Sequence, residues 1–107
     1  MAFRALFLAH APDADKGRHR SIIDTGKYRL FTVAVRNQAE ALEVCKEFVE
    51  REAIDSVLLC PGFTHRDVAG IAEAVGDSVG VCAARCDGPS NKVSLVAMER
   101  AGYFRKE

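Results

Sequence analysis

Residues 54–75 read IDSVLLCPGFTHRDVAGIAEAV. Their apolar run, Val57-Leu58-Leu59-Cys60, shows no alternation of polar and apolar positions. Such a run suits a strand buried on both faces. Pro61-Gly62 breaks the strand and Thr64 opens a helix. Thr64 is a good N-cap, Asp67 stands at the third helical position, and Phe63 and Val68 are spaced for a hydrophobic staple. Val68, Ile71, Ala72 and Val75 form one apolar stripe, which Gly76 ends. A buried strand running into a capped amphipathic helix is part of a βαβ unit and predicts a parallel sheet.

The pattern repeats on both sides. Upstream, Asn37 caps a second helix, with Glu40 three residues on. Leu42, Cys45 and Val49, with Ala41 and Phe48 beside them, form its buried face. Tyr28 to Val35 is rich in β-formers, and Phe3 to Ala9 is nearly all apolar, so both are strands. Residues 10–27 are polar, with Ile22 and Ile23 their only large apolar side chains. A short helix over residues 15–25 is expected there, ended by Gly26. Downstream, Ser78 to Ala84 is a fourth strand. Pro89 then begins a last helix whose Val93, Val96, Ala97 and Ala101 face inward.

The expected architecture is a single small α/β domain over residues 1–107. It is doubly wound and Rossmann- or flavodoxin-like, a four-stranded parallel sheet in the order 2-1-3-4 with helices on both faces. In that order the second strand is an edge, and Leu30 to Val35 carries no charge to protect it. A homodimer that pairs or covers this edge is therefore expected.

Bulk composition narrows the function. Hydrophobic residues make up 49% of the 107 and charged residues 28%, which supports a folded domain rather than a disordered chain. Lys and Arg total 15, as do Asp and Glu, so a strongly basic nucleic-acid binder is excluded. The basic stretch Lys16, Arg18, Arg20, Lys27 and Arg29 has Tyr28 alone interleaved, short of the aromatic series of a single-strand binder. No apolar run approaches the ~20 residues of a membrane helix, and Phe3 to Ala9 lacks the basic lead-in of a secretory signal. Cys45, Cys60, Cys82 and Cys86 make no CxxC pair. Cys45 and Cys82 fall in apolar elements and read as reduced core thiols, which implies a cytoplasmic location. GxGxxG, Walker, HExxH and GxSxG motifs are absent, so neither a dinucleotide, a P-loop, a zincin nor an α/β-hydrolase site is expected. A metal site built from His10, His65 and Asp13 is a minor alternative that no ligand spacing announces, and no cofactor is named.

Ligands of such sheets bind outside the carboxyl ends of the strands, where the strand order reverses. The first strand runs into His10-Ala11-Pro12-Asp13, the third into Cys60-Pro61-Gly62-Phe63-Thr64-His65, and the fourth into Arg85-Cys86-Asp87-Gly88-Pro89-Ser90-Asn91. Candidate catalytic residues are therefore His10 and His65 for proton transfer, Asp13 and Asp87 to orient an imidazole, and Cys60 as a nucleophile. Candidate ligand-binding residues are Gly62, Thr64, Arg85, Gly88, Ser90 and Asn91. Structural roles compete with these: Thr64 and Ser90 as helix caps, Asp87 as a turn residue, Cys60 as a buried thiol.

The strings His10-Ala11-Pro12-Asp13, Gly26-Lys27-Tyr28, Cys60-Pro61-Gly62-Phe63-Thr64-His65 and Asp87-Gly88-Pro89-Ser90-Asn91 carry a resemblance over nearly the whole chain. The sequence resembles a family of short prokaryotic proteins catalogued as a domain of unknown function. The resemblance implies a small single-domain α/β protein and no particular substrate.

The expected function is binding of a small anionic metabolite in this loop cleft, with or without His-based acid/base chemistry. A non-catalytic sensory module and a homo-oligomeric assembly protein are the alternatives. Nucleic acid and membrane are not expected partners.

Overall fold

The computed structural model describes residues 1–105. Its elements are β1 (Phe3–His10), β2 (Arg20–Asp24), β3 (Tyr28–Val35), α1 (Gln38–Glu52), β4 (Ser56–Leu59), α2 (His65–Val75), β5 (Gly80–Ala83) and α3 (Gly88–Arg100). The sheet has five strands, in the order β2-β3-β1-β4-β5. β3, β1, β4 and β5 are parallel neighbours, and β2 is antiparallel to β3.

The sheet is therefore mixed and five-stranded, not four-stranded, and its strand order is not the expected one. The difference lies in residues 15–25, where a strand replaces the expected helix. Asp15 accepts a bond from the Gly17 amide at 2.9 Å, and the Asp15 amide donates to His19 Nδ1 at 2.8 Å. These local bonds close a turn, the alternative to helix that aspartate offers the backbone. Ile22 and Ile23 then lie on opposite faces of β2, opposite Phe31 and Leu30. A second turn follows, in which Asp24 accepts from the Gly26 amide at 2.8 Å and Gly26 takes φ 96°. Two adjacent β-branched residues between side-chain-locked turns suit a hairpin strand better than a helix. β3 is consequently an inner strand. The unprotected edge on which a dimer was expected does not exist.

The hairpin turn has a pH signature. The Gly26 amide, first, and the Arg29 guanidinium hold the Asp24 carboxyl below its usual 3.8. A depressed carboxylate stabilises the fold above its unfolded pKa, and that contribution is lost as pH falls through the folded value. Asp24→Ala should therefore speed hydrogen exchange at Thr25 and Tyr28 severalfold at pH 6 to 7. In the parent chain the same loosening should begin only below about pH 4. Unchanged exchange in the variant would show that the turn holds without its carboxylate.

Helices α1 and α2 pack against each other on one face of the sheet. Asn37 caps α1 by accepting from the Glu40 amide at 2.9 Å, and the Arg36 amide donates to Glu40. Leu6, Leu8, Val33, Val35, Val57 and Leu59 project from this face and are wholly buried against Ala41, Val44, Cys45, Phe48, Ile71 and Val75. Leu42 and Val49 only border this core, and Ala72 is exposed. Burial raises the Cys45 thiol to about 11.

Among the described residues the opposite face carries no helix, against the expectation of helices on both sides. The β1-to-β3 connection, which would supply one, is spent on the turn and β2. Nor does α3 fill the gap. It packs closely on no other element and has no buried residue. Val93 and Val96, expected to face inward, are 71% and 59% exposed. Cys82 is likewise exposed, not a core thiol. No helix among the described residues is long and apolar enough to cross a membrane.

Candidate functional site

The parallel strands bring the loops after β1, β4 and β5 to the same end of the sheet. His10 is the last residue of β1, Cys60 follows β4, and His65 is the first residue of α2. The structure divides these residues among separate surroundings.

His10, Cys60, Gly62 and Phe63 form a packed cluster. The His10 ring stacks on Phe63 with centroids 4.1 Å apart and planes 23° from parallel. The His10 amide donates to Cys60 Sγ at 3.3 Å. A Cβ on Gly62 would stand 3.0 Å from His10 Nδ1 and 3.4 Å from Cys60 Sγ. The glycine lets the imidazole approach closely, since any side chain there would press on the ring. His10 Nε2 is buried and has no hydrogen-bond partner. Cys60 is a partly buried thiol that also packs against the core.

The other face of Phe63's surroundings is an open cleft of about 270 Å³. Its walls are Pro61, Phe63, His65 and Val68 from one side, and Ala83 to Asp87 with Asn91 from the other. His65, Arg85, Asp87 and Asn91 are therefore brought together, whereas His10 stands behind Phe63 and does not line this cleft. Cys86 lines it too, a residue that sequence reasoning passed over because a lone cysteine in a polar loop carries no spacing signal.

Its two helix ends differ. Thr64 Oγ1 accepts from the Asp67 amide at 3.1 Å, and Asp67 accepts from the Thr64 amide at 3.1 Å. This complete capping box satisfies those donors and places a carboxylate at the start of α2. Asp87, the N-cap of α3, makes no such bond. Its carboxylate instead meets Arg85 at 2.9 Å, both side chains being largely exposed. Pro89 in the first turn has no amide to satisfy, and the Asn91 amide bonds the Asp87 carbonyl. Gly88 (φ 34°) shapes the turn into the helix. Ser90 faces a separate shallow surface with Pro89, Val93 and Ser94.

Asp13 belongs to neither group. It lines a larger cavity of about 810 Å³ with Pro12, Arg36, Gly102, Tyr103 and Arg105. The Arg36 side chain there donates to the Ala14 carbonyl at 2.7 Å. Sequence reading missed this cavity because Pro12 and Asp13 meet residues from the far side of the sequence, Ala101 to Arg105, a juxtaposition without local pattern. No group of three or more His, Cys, Asp or Glu side chains suited to a metal ion occurs among the described residues.

Comparison with curated proteins returns no match, and neither does comparison with solved structures. A family model does match, over residues 3–97, which takes in every strand and most of α3. The chain belongs to DUF6506, a family of unknown function.

Proposed function

We propose that the cleft between the β4–α2 and β5–α3 loops binds a small anion of the phosphate or carboxylate class. The unblocked first turn of α3 supports this most directly: α1 and α2 are capped by side chains, and α3 is not. Unsatisfied first-turn amides and the helix dipole attract negative charge. Arg85 adds a guanidinium beside them, with His65 and Asn91 as further donors on the cleft wall. The Arg85–Asp87 pair is exposed on both sides, and such pairs hold weakly, so an incoming dianion can take the place of Asp87. Each helix-end contact near a surface contributes roughly 0.3–1 kcal/mol and a charge-assisted bond from Arg85 roughly 1.5–3 kcal/mol, which together approach the ~4 kcal/mol of millimolar binding.

Binding fits this geometry better than His-based proton transfer. His10 is stacked on Phe63 with its Nε2 buried, and Asp13, one of the two carboxylates expected to orient an imidazole, lies in another cavity. Only His65 among the expected proton carriers borders the cleft.

Titration with inorganic phosphate, followed by amide resonances of residues 62–67 and 87–92, tests the site. Localised shifts at His65, Asp87 and Asn91, which line the cleft, are expected at millimolar phosphate. Arg85→Gln should weaken binding about tenfold, the loss of one charge-assisted contact. Shifts spread evenly over the surface, or an unchanged affinity in the variant, would leave these loops as structural turns.

A further inference from the structure

We propose that the uncovered face of the sheet is a homodimer interface, closed in reciprocal fashion by helix α3 of a second copy. The proposal is independent of anion binding.

The strand register spells out this face. One cross-strand row runs Ile23, Leu30, Ala5, Ser56, Gly80, and the next runs Ser21, Thr32, Phe7, Leu58, Cys82. Neither row contains a charged residue. Phe7 and Leu58 belong to strands flanked on both sides, yet both remain partly accessible. Their neighbours Leu6, Leu8, Val57 and Leu59, on the helix-covered side, are completely buried. Parallel strands of α/β proteins are normally covered on both faces.

The same chain carries the complementary piece. α3 displays Val93 and Val96 to solvent, one helical step apart. It cannot reach its own open face from where it is held. It leaves β5 at the edge of the sheet, and the residues just past its end share a cavity with Pro12, Asp13 and Arg36. It therefore runs along the carboxyl ends of the strands. The unpartnered valines of α3 and an unpartnered uncharged sheet face on one chain satisfy each other across a twofold axis, which closes the assembly.

Surface area agrees. The chain exposes 7406 Å². A compact monomer of 11.7 kDa exposes roughly 5,900 Å². The excess of about 1,500 Å² exceeds the ~800 Å² that each partner contributes to a standard interface. The radius of gyration, 14.3 Å, likewise exceeds the ~13 Å of a compact chain of this length. The uncharged rows offer nothing to nucleic acid or an acidic partner, whereas a second copy brings the exposed Val93 and Val96.

Sedimentation equilibrium of the whole chain, with Phe7→Lys and Val96→Glu as variants, tests both halves of the contact. The parent should sediment at twice 11.7 kDa at tens of micromolar. Each variant should raise the dimer dissociation constant at least about thirtyfold. A monomeric parent overturns the proposal. So does a dimer that survives either substitution, and survival of Val96→Glu alone would mean the two sheets meet without α3. Val96 is exposed, so its variant should fold. Should Phe7→Lys fail to fold, Cys82 in the parent chain decides, since it lies on the open face. Its alkylation should be slow in concentrated protein and speed up on dilution, and a rate independent of concentration would overturn the interface.

Discussion

Leu8→Ala is expected to lower the unfolding free energy by about 2–5 kcal/mol. Leu8 lies in the middle of β1, opposite Val33 on one side and Leu59 on the other, and is fully buried. It faces the α1–α2 layer, where Val44, Cys45 and Ile71 are also enclosed. Truncation there removes buried methyl groups and leaves a cavity that a central strand cannot collapse to fill. A domain of this size has only about 5–15 kcal/mol to lose, so the change takes a large share. Urea unfolding should show the midpoint falling with little change in slope. A loss below about 1 kcal/mol would mean that the core does not sit between this face and the two helices.

The second large effect is at the carboxyl end of the sheet. Gly62→Val should destabilise by roughly 1–3 kcal/mol and expel His10 from its place. A Cβ alone would stand 3.0 Å from His10 Nδ1, and the valine methyls need still more room. The ring cannot simply swing aside, because it stacks on Phe63 and its Nε2 is enclosed. The expected sign is loss of the ring-current shift that Phe63 imposes on the imidazole, together with a lower melting temperature. Placing His10→Ala in the same chain should restore part of the lost stability, since the clash then disappears. A Gly62→Val protein as stable as the parent, with its stacking intact, would refute this close approach.

Much of the candidate site was legible because loops at strand ends obey topology. Parallel strands bring the segments after His10, Leu59 and Ala83 to one end whatever their side chains do. His65, Arg85, Asp87 and Asn91 accordingly share a cleft. That Phe63 stands between His10 and this cleft was not legible. Phe63 carried a staple signal, and nothing in its spacing says which neighbouring ring it will stack on. The separate place of Asp13 was hidden for a similar reason, because its cavity is completed by Tyr103 and Arg105 from the far end of the chain.

Local chemistry by itself determined the caps and the covered helices. Asn37 with Glu40, and Thr64 with Asp67, fix helix starts through bonds that span three residues and need no distant partner. The apolar runs of β1, β3 and β4 likewise announced strands. Tertiary structure alone decided three things. Ile22 and Ile23 became a strand because β3 offered a free edge to pair with, and an isolated pair of β-branched residues has no period to reveal that. The stripe of α3 stayed exposed because an apolar period shows that a helix has something to bury, not that its own domain has a surface to receive it. The sheet was left bare on one side because the β1-to-β3 connection carries β2 in place of a helix, and only the assembled layers show which face that leaves uncovered.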